Sequence, residues 1–172
     1  MSRISSIFLM CSLLTGCDKA TESTNPVLSC DINATYTRNS IKPVISNGIH
    51  GTVSSMEGNC MPVILPATST CTHCPVNRTL RIHTYTRSQD AVAAVAKPGF
   101  FQQVNTPMIR EITTDADGFY QAELPSGQYS VFIIENGLLH ASGMDGNGGL
   151  NPVTIGTGKQ KLDLVMRYKA TF

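Results

Sequence analysis

The chain has 172 residues, with 14 glycines, 9 prolines, no tryptophan and only 15% charged residues. This length suits one ordinary domain with a tail, and the composition suits short strands joined by turns better than a helical bundle. With 13 basic and 12 acidic residues the chain is almost neutral, which excludes the general electrostatic attraction that draws basic proteins to nucleic acids and anionic lipids.

The first 16 residues have the layout of a secretory signal. Arg3 precedes a short apolar run over 7–14, which is too short to cross a bilayer. The segment ends in LLTGC, which resembles the signal box of bacterial lipoproteins, and this resemblance implies that Cys17 carries the lipid. We therefore expect residues 1–16 to be a lipoprotein signal peptide. The mature chain, with net charge zero, would be anchored in a bacterial envelope membrane and face the periplasm or the exterior.

Residues 17–47 are rich in Ser, Thr and Asn and lack a sustained hydrophobic period, which predicts a flexible lipidated tether with some order near Cys30. From Gly48 onward, apolar and polar residues alternate in short runs, as in half-buried strands. The alternation is clearest at 161–169. About seven short strands separated by turns predict one all-β domain over 48–172, an antiparallel sandwich of two sheets.

The stretch SQDAVAAVAKPG at 88–99 is the helix candidate of the predicted domain. The residues from Ala91 to Ala96 are good helix formers, and Pro98 with Gly99 would end a helix. Since predicted strands lie on both sides, we expect a short helical turn or an ordered loop here.

Two acidic loops can be interpreted either as calcium sites or as turns. Asp115, Asp117 and Gly118 stand between two strand patterns, and the twelfth position of a calcium loop that starts at Asp115 is a serine where glutamate is needed. Asp145 and Asn147 lie in MDGNGG at 144–149, whose glycines suit a hairpin tip. We predict a turn at both places.

The segment TTDADGFYQAELPSGQYSVFI at 113–133 resembles the signature of carboxypeptidase regulatory-like domains, which have a transthyretin-like, broadly immunoglobulin-like sandwich fold. The matching features are a turn with Asp and Gly, an aromatic strand, a Pro-x-Gly corner and a strand that opens with Tyr. Further segments resemble small lipoproteins built from one such domain, so the resemblance covers 48–172. It implies a non-catalytic unit without a cofactor.

Four cysteines remain after the signal and the lipidated Cys17, namely Cys30, Cys60, Cys71 and Cys74. An even number in an oxidising compartment predicts two disulfides with three possible pairings. Cys60 and the Cys71/Cys74 pair flank one loop. We favour one disulfide that closes this loop and a second that joins Cys30 to it. The alternative is a metal or thiol-redox site built from Cys60, Cys71, His73 and Cys74, and the histidine ligand of such a zinc or copper site would be His73 or His50.

No other feature of the sequence predicts catalysis. His83 and His140 are expected at the surface or half-buried, and no nucleophile and base occur at a recognisable spacing. We therefore expect a binding or structural module of the envelope, without enzymatic activity. Its working surface would be the loops over 55–79 and 140–151, and its partner an envelope protein or a glycan.

Overall fold

The structure, a computed structural model, describes residues 30–62, 64 and 69–172. This part of the chain forms one α-helix followed by strands in two sheets, with apolar side chains from both sheets packed between them. The predicted all-β sandwich is confirmed. The elements are α1 (Ile32–Ser40), β1 (Gly48–Asn59), β2 (Thr72–Pro75), β3 (Thr79–Thr84), β4 (Ala91–Ala93), β5 (Phe100–Val104), β6 (Met108–Thr113), β7 (Phe119–Glu123), β8 (Gly127–Glu135), β9 (Leu138–His140), β10 (Pro152–Ile155), β11 (Lys159–Lys161) and β12 (Leu164–Thr171).

The long strand β1 organises the five-stranded sheet. Its first half pairs with β7 (antiparallel) and β11 (parallel), and its second half pairs with β2 (antiparallel) and β12 (parallel). Ile49 and Val53 are fully buried in the core between the sheets. Because side chains alternate along a strand, Thr52 and Ser54 point to the opposite face, where α1 covers them.

The seven-stranded sheet has the order β4, β5, β9, β8, β3, β6, and β10 also pairs with the start of β8. Val131 and Ile133 of β8 belong to the core between the sheets, whereas Phe132 belongs to a second apolar cluster with Phe101 and Leu139. Since Phe132 alternates with its neighbours along the strand, the second cluster lies on the other face of this sheet. Apolar packing on both faces explains the continuous apolar run of β8.

The expected short helical turn is only partly present in the 88–99 segment. A 3-10 helix covers Ser88–Asp90, but Ala91–Ala93 form the edge strand β4, which pairs with β5. Backbone pairing therefore overrides the helix propensity of the alanines. A turn then leads to β5, and in it Ala96 has a positive φ of 57°.

The tether prediction needs correction over residues 30–47, because this part is ordered and begins with α1. Asp31 caps the helix by accepting a hydrogen bond from the backbone N–H of Ala34 at 3.0 Å. The buried residues of α1, Thr35 and Asn39, are polar, so the sequence lacks the apolar stripe that predicts an amphipathic helix. Residues 17–29, including Cys17, and the signal segment 1–16 lie outside the described residues.

Candidate functional site

Two disulfides join the segments around β2. Cys30 is bonded to Cys74, and Cys60 is bonded to Cys71, with Cα–Cα distances of 4.7 and 4.6 Å. The prediction of two disulfides is confirmed, and the pairing agrees with the favoured arrangement, which left open whether Cys71 or Cys74 bonds to Cys30. The first bond fixes the N-terminal segment to the five-stranded sheet, and the second closes the connection between β1 and β2. We call residues 60–71 the stapled loop; its residues 63 and 65–68 lie outside the described part of the chain.

The disulfides use the sulfur atoms that a metal or redox site would need. Cys71 and Cys74 bond to different partners, so the CTHC segment contains no disulfide of its own. His73 directs Nε2 at Ser54 Oγ, 2.9 Å away. Within the residues that the structure describes, no group of three His, Cys, Asp or Glu side chains is arranged to hold a metal ion, so neither His73 nor His50 belongs to such a group.

A polar cluster connects α1, β1 and β2 on the outer face of the five-stranded sheet. Ser54 Oγ lies 2.9 Å from His73 Nε2 and 3.5 Å from Tyr36 Oη. Nearby, Asn39 donates to Thr52 Oγ1 at 3.0 Å. The contact between Ser54 and His73 was not predictable from the sequence, because it depends on the pairing of β1 with β2.

A hydrogen-bonded serine and histidine have the chemistry of a nucleophile and its base. Burial, with a smaller contribution from the positive charge of Arg167, lowers the pKa of His73, which favours the neutral imidazole that a base requires. Ser54, however, is fully buried, so a substrate carbonyl does not reach Oγ in this arrangement. Ser54 of β1 contacts both His73 of β2 and Tyr36 of α1, so these contacts hold the three elements together.

The TDADG segment forms the predicted turn before β7. Asp115 Oδ1 accepts hydrogen bonds from the backbone N–H groups of Asp117 and Phe119, both at 2.9 Å, and Gly118 has a positive φ of 69°. The Lys42 ammonium lies 2.9 Å from both aspartate carboxylates, and its hydrogen bond lowers the pKa of Asp117. A cation from the protein itself therefore occupies the position between these carboxylates.

The MDGNGG segment forms the second predicted turn with the same local geometry. Asp145 Oδ1 accepts from the backbone N–H groups of Asn147 and Gly149 at 2.9 and 2.8 Å. The Tyr85 hydroxyl also donates to the Asp145 carboxylate, at 2.9 Å. The aspartate side chain and the glycines that follow it therefore stabilise a turn here.

The expectation that His83 and His140 are exposed or half-buried is wrong, because both are buried. His83 Nδ1 lies 2.9 Å from Thr106 O, and His140 Nδ1 lies 3.0 Å from Gly99 O. The Nε2 atom of each ring is buried and has no hydrogen-bond partner among the described residues. Burial lowers the pKa of both side chains, since a charged imidazolium is poorly solvated there.

The fold and these contacts define a class: an all-β sandwich protein with a disulfide-bonded loop and an N-terminal segment bonded to one sheet. Comparisons of the chain with protein-family models, curated proteins and solved structures found no match. The resemblance to carboxypeptidase regulatory-like domains therefore stays a prediction from the sequence. In the described part of the chain, no helix has the length and apolarity needed to span a membrane.

Proposed function

We propose that the protein is a bacterial lipoprotein, anchored to an envelope membrane through Cys17, whose sandwich is a non-catalytic binding module. The observation that carries the proposal is that all four cysteines from residue 30 onward are in disulfides, since such bonds persist in oxidising compartments outside the cytoplasm. The LLTGC box at 13–17 supplies the export and lipidation signal that agrees with this location.

The Cys30–Cys74 bond limits how far the module extends from the membrane. Thirteen chain steps separate Cys17 from Cys30. A fully extended chain of that length spans at most about 45 Å. The sandwich would therefore act close to the membrane surface, on a partner that reaches the same layer of the envelope.

The stapled loop is the proposed working surface of the module. Loops on a rigid scaffold carry binding in many folds, and the Cys60–Cys71 bond reduces the conformational freedom that a loop loses on binding. The proposed partner is a folded envelope protein or a glycan, since the near-neutral charge of the chain gives no attraction to nucleic acid. We also propose that the module is a regulatory-like unit, because its turn, β7, Pro125–Gly127 corner and β8 follow in the order that the resemblance implies.

The test is export of the full chain in a bacterium, with membrane fractionation and metabolic labelling with a radioactive fatty acid. We expect the wild-type protein to incorporate label and to sediment with membranes. The Cys17→Ser variant should lose both properties, and the matched Cys11→Ser variant should keep them. Membrane attachment of Cys17→Ser, or loss of labelling in Cys11→Ser alone, would contradict the proposal.

A further inference from the structure

A cavity of about 230 Å³ opens at the end of the sandwich from which the stapled loop also emerges. Its walls come from three places: the turn between β4 and β5, the turn between β8 and β9, and Tyr168 near the end of β12. The last residues of β1 pair with the last residues of β12, so the cavity lies at the same end of the molecule as Cys60, where the stapled loop begins. The predicted working loops did not include the cavity residues.

Both turns that line the cavity contain a residue with a positive φ other than glycine. Ala96 has a φ of 57°, a left-handed conformation that costs energy for a residue with a Cβ. Asn136 has a φ of 51°, but Asn136 and Gly137 form the two-residue turn that such hairpins prefer, which accounts for it. Ala96 is the third residue of a β-turn that the hydrogen bond from the Lys97 N–H to Ala94 O closes at 3.4 Å, and this turn position accepts a positive φ. Both conformations therefore belong to tight turns.

One wall of the cavity contains a buried carboxylate. Glu135 is 7% exposed and accepts hydrogen bonds from the Tyr168 hydroxyl at 2.8 Å and from Arg78 Nε. Burial alone would raise the pKa of Glu135, but these hydrogen bonds outweigh it and hold the pKa below its usual value. The carboxylate is therefore ionised at neutral pH. Since two carboxylate oxygens offer about four acceptor positions, it retains capacity for a ligand donor.

The other walls are mostly apolar. Pro98, Phe100 and Leu138 line the cavity together with the ring of Tyr168, which packs edge-to-face on Phe100 with centroids 4.9 Å apart. Phe100 is buried, whereas Tyr168 is 39% exposed, so the tyrosine presents part of its ring to an incoming ligand. The cavity thus offers an aromatic and aliphatic surface beside a hydrogen-bond acceptor.

The charges around the cavity favour a neutral ligand. Lys97 lies on the cavity wall, and Arg78 already neutralises Glu135. These two cations disfavour an organic cation, although a carboxylate beside aromatic rings would otherwise suit one. The exposed side chains of Lys97 and Asn136, which also line the cavity, supply hydrogen-bond donors in addition to the buried acceptor.

We propose that this cavity binds one pyranose ring, such as the terminal sugar of a glycan. A pyranose has an apolar C–H face, which fits the Tyr168 and Phe100 surface, and hydroxyl groups at its edge. One hydroxyl donates to Glu135, and others accept from Lys97 and Asn136. The site is separate from the stapled loop and does not depend on lipidation of Cys17. For one small ring we expect a dissociation constant of about millimolar.

The test is an NMR titration of the isotope-labelled full chain, in which the amide chemical shifts are measured. The protein carries Cys17→Ser for solubility and is exported so that its disulfides form. The probes are methyl β-glucopyranoside and N-acetylglucosamine, with tetramethylammonium chloride as an organic cation. We expect at least one sugar to cause saturable shifts at Phe100, Leu138 and Tyr168, and the cation to cause none.

Two variants are substituted at exposed positions, so that a loss of sugar binding does not result from unfolding. Asn136→Gly removes the amide while glycine accepts the positive φ, and it should weaken sugar binding by about three- to tenfold, the loss expected for one hydrogen bond. Asn105→Gly, at an exposed position between β5 and β6, is the matched control and should bind like the parent. The proposal is overturned if neither sugar shifts the cavity residues at roughly 100 mM, far above the expected constant. Equal affinities of Asn136→Gly and the parent, or shifts with the cation alone, would also overturn it.

Discussion

Removing the Cys30–Cys74 bond should cost more stability than removing the Cys60–Cys71 bond. The two bonds close chain segments with sequence separations of 44 and 11 residues. In the chain-entropy treatment of cross-links these lengths correspond to about 4 and about 3 kcal/mol, because the longer loop loses more freedom in the unfolded state. The perturbation is a pair of double variants, Cys30→Ser with Cys74→Ser and Cys60→Ser with Cys71→Ser.

The assay is urea unfolding of both double variants and the parent, each carrying Cys17→Ser and exported so that the remaining disulfide forms. We expect the free energy of unfolding to be lower by about 1 kcal/mol in the first double variant than in the second. Equal stabilities, or a less stable Cys60 and Cys71 variant, would refute the loop-length argument.

Hydrogen exchange on the same proteins shows whether loss of the Cys30–Cys74 bond destabilises only α1 or the whole domain. The buried residues of α1 are polar, so its docking gains little from apolar burial and depends on the Cys30–Cys74 bond. Without that bond, the amide of Asn39 should exchange faster while the amide of Val131 in β8 stays protected. Unchanged protection of Asn39 would show that the helix docks without the bond.

Three further predictions concern protonation, a glycine and an ion pair. All four histidines have lowered pKa values through burial, His83 and His140 among them. The unfolded chain therefore binds more protons below about pH 6.5, and the free energy of unfolding should fall on acidification by up to about 1.4 kcal/mol per pH unit for each histidine. Urea midpoints at about pH 7.5 and about pH 5.5 that do not differ would contradict this. Gly118→Ala should destabilise the protein more than Gly137→Ala, although both backbones have a positive φ. A Cβ at 118 would lie 2.3 Å from the backbone oxygen of Val53, whereas a Cβ at 137 would meet no atom of the described residues within 4 Å outside its own chain neighbours. We expect about 1 kcal/mol for Gly137→Ala and at least twice that for Gly118→Ala by thermal unfolding, and equal losses would be inconsistent with the close contact. Lys42→Ala should cost less than about 1 kcal/mol, because its ion pairs are partly exposed, and the loss should shrink in high salt; a loss that is independent of salt would argue against an electrostatic role.

The parts of the fold that depend on local chemistry were predictable from the sequence. The turns at Asp115 and Asp145 depend on an aspartate side chain that accepts from the backbone two and four residues later, and this geometry is encoded within five residues. The strand alternation around Ile49 and Val53 is similarly local. The sandwich follows from several such runs, although strands of three or four residues such as β4 and β9 are too short to show a period.

The features that the sequence did not reveal depend on contacts between distant segments. The order of α1 comes from a disulfide and from hydrogen bonds to the outer face of β1, so its polar sequence suggested a tether. Ser54 meets His73 through strand pairing, and Glu135 meets Tyr168 across 33 positions of the chain. His140 is buried because Phe100 and Tyr168 pack on it, which no pattern near residue 140 indicates.

The parallel pairing of β1 with β12 has a practical consequence for handling the protein. The backbone N–H of Cys60 donates to Thr171 O at 2.8 Å, so a tag or fusion attached after Phe172 would emerge beside the stapled loop and near the cavity mouth. Lys159 pairs with the start of β1, roughly 35 Å away along a strand of this length. A surface coupled through Lys159 would leave the loop and the cavity accessible, whereas the usual C-terminal capture would crowd both.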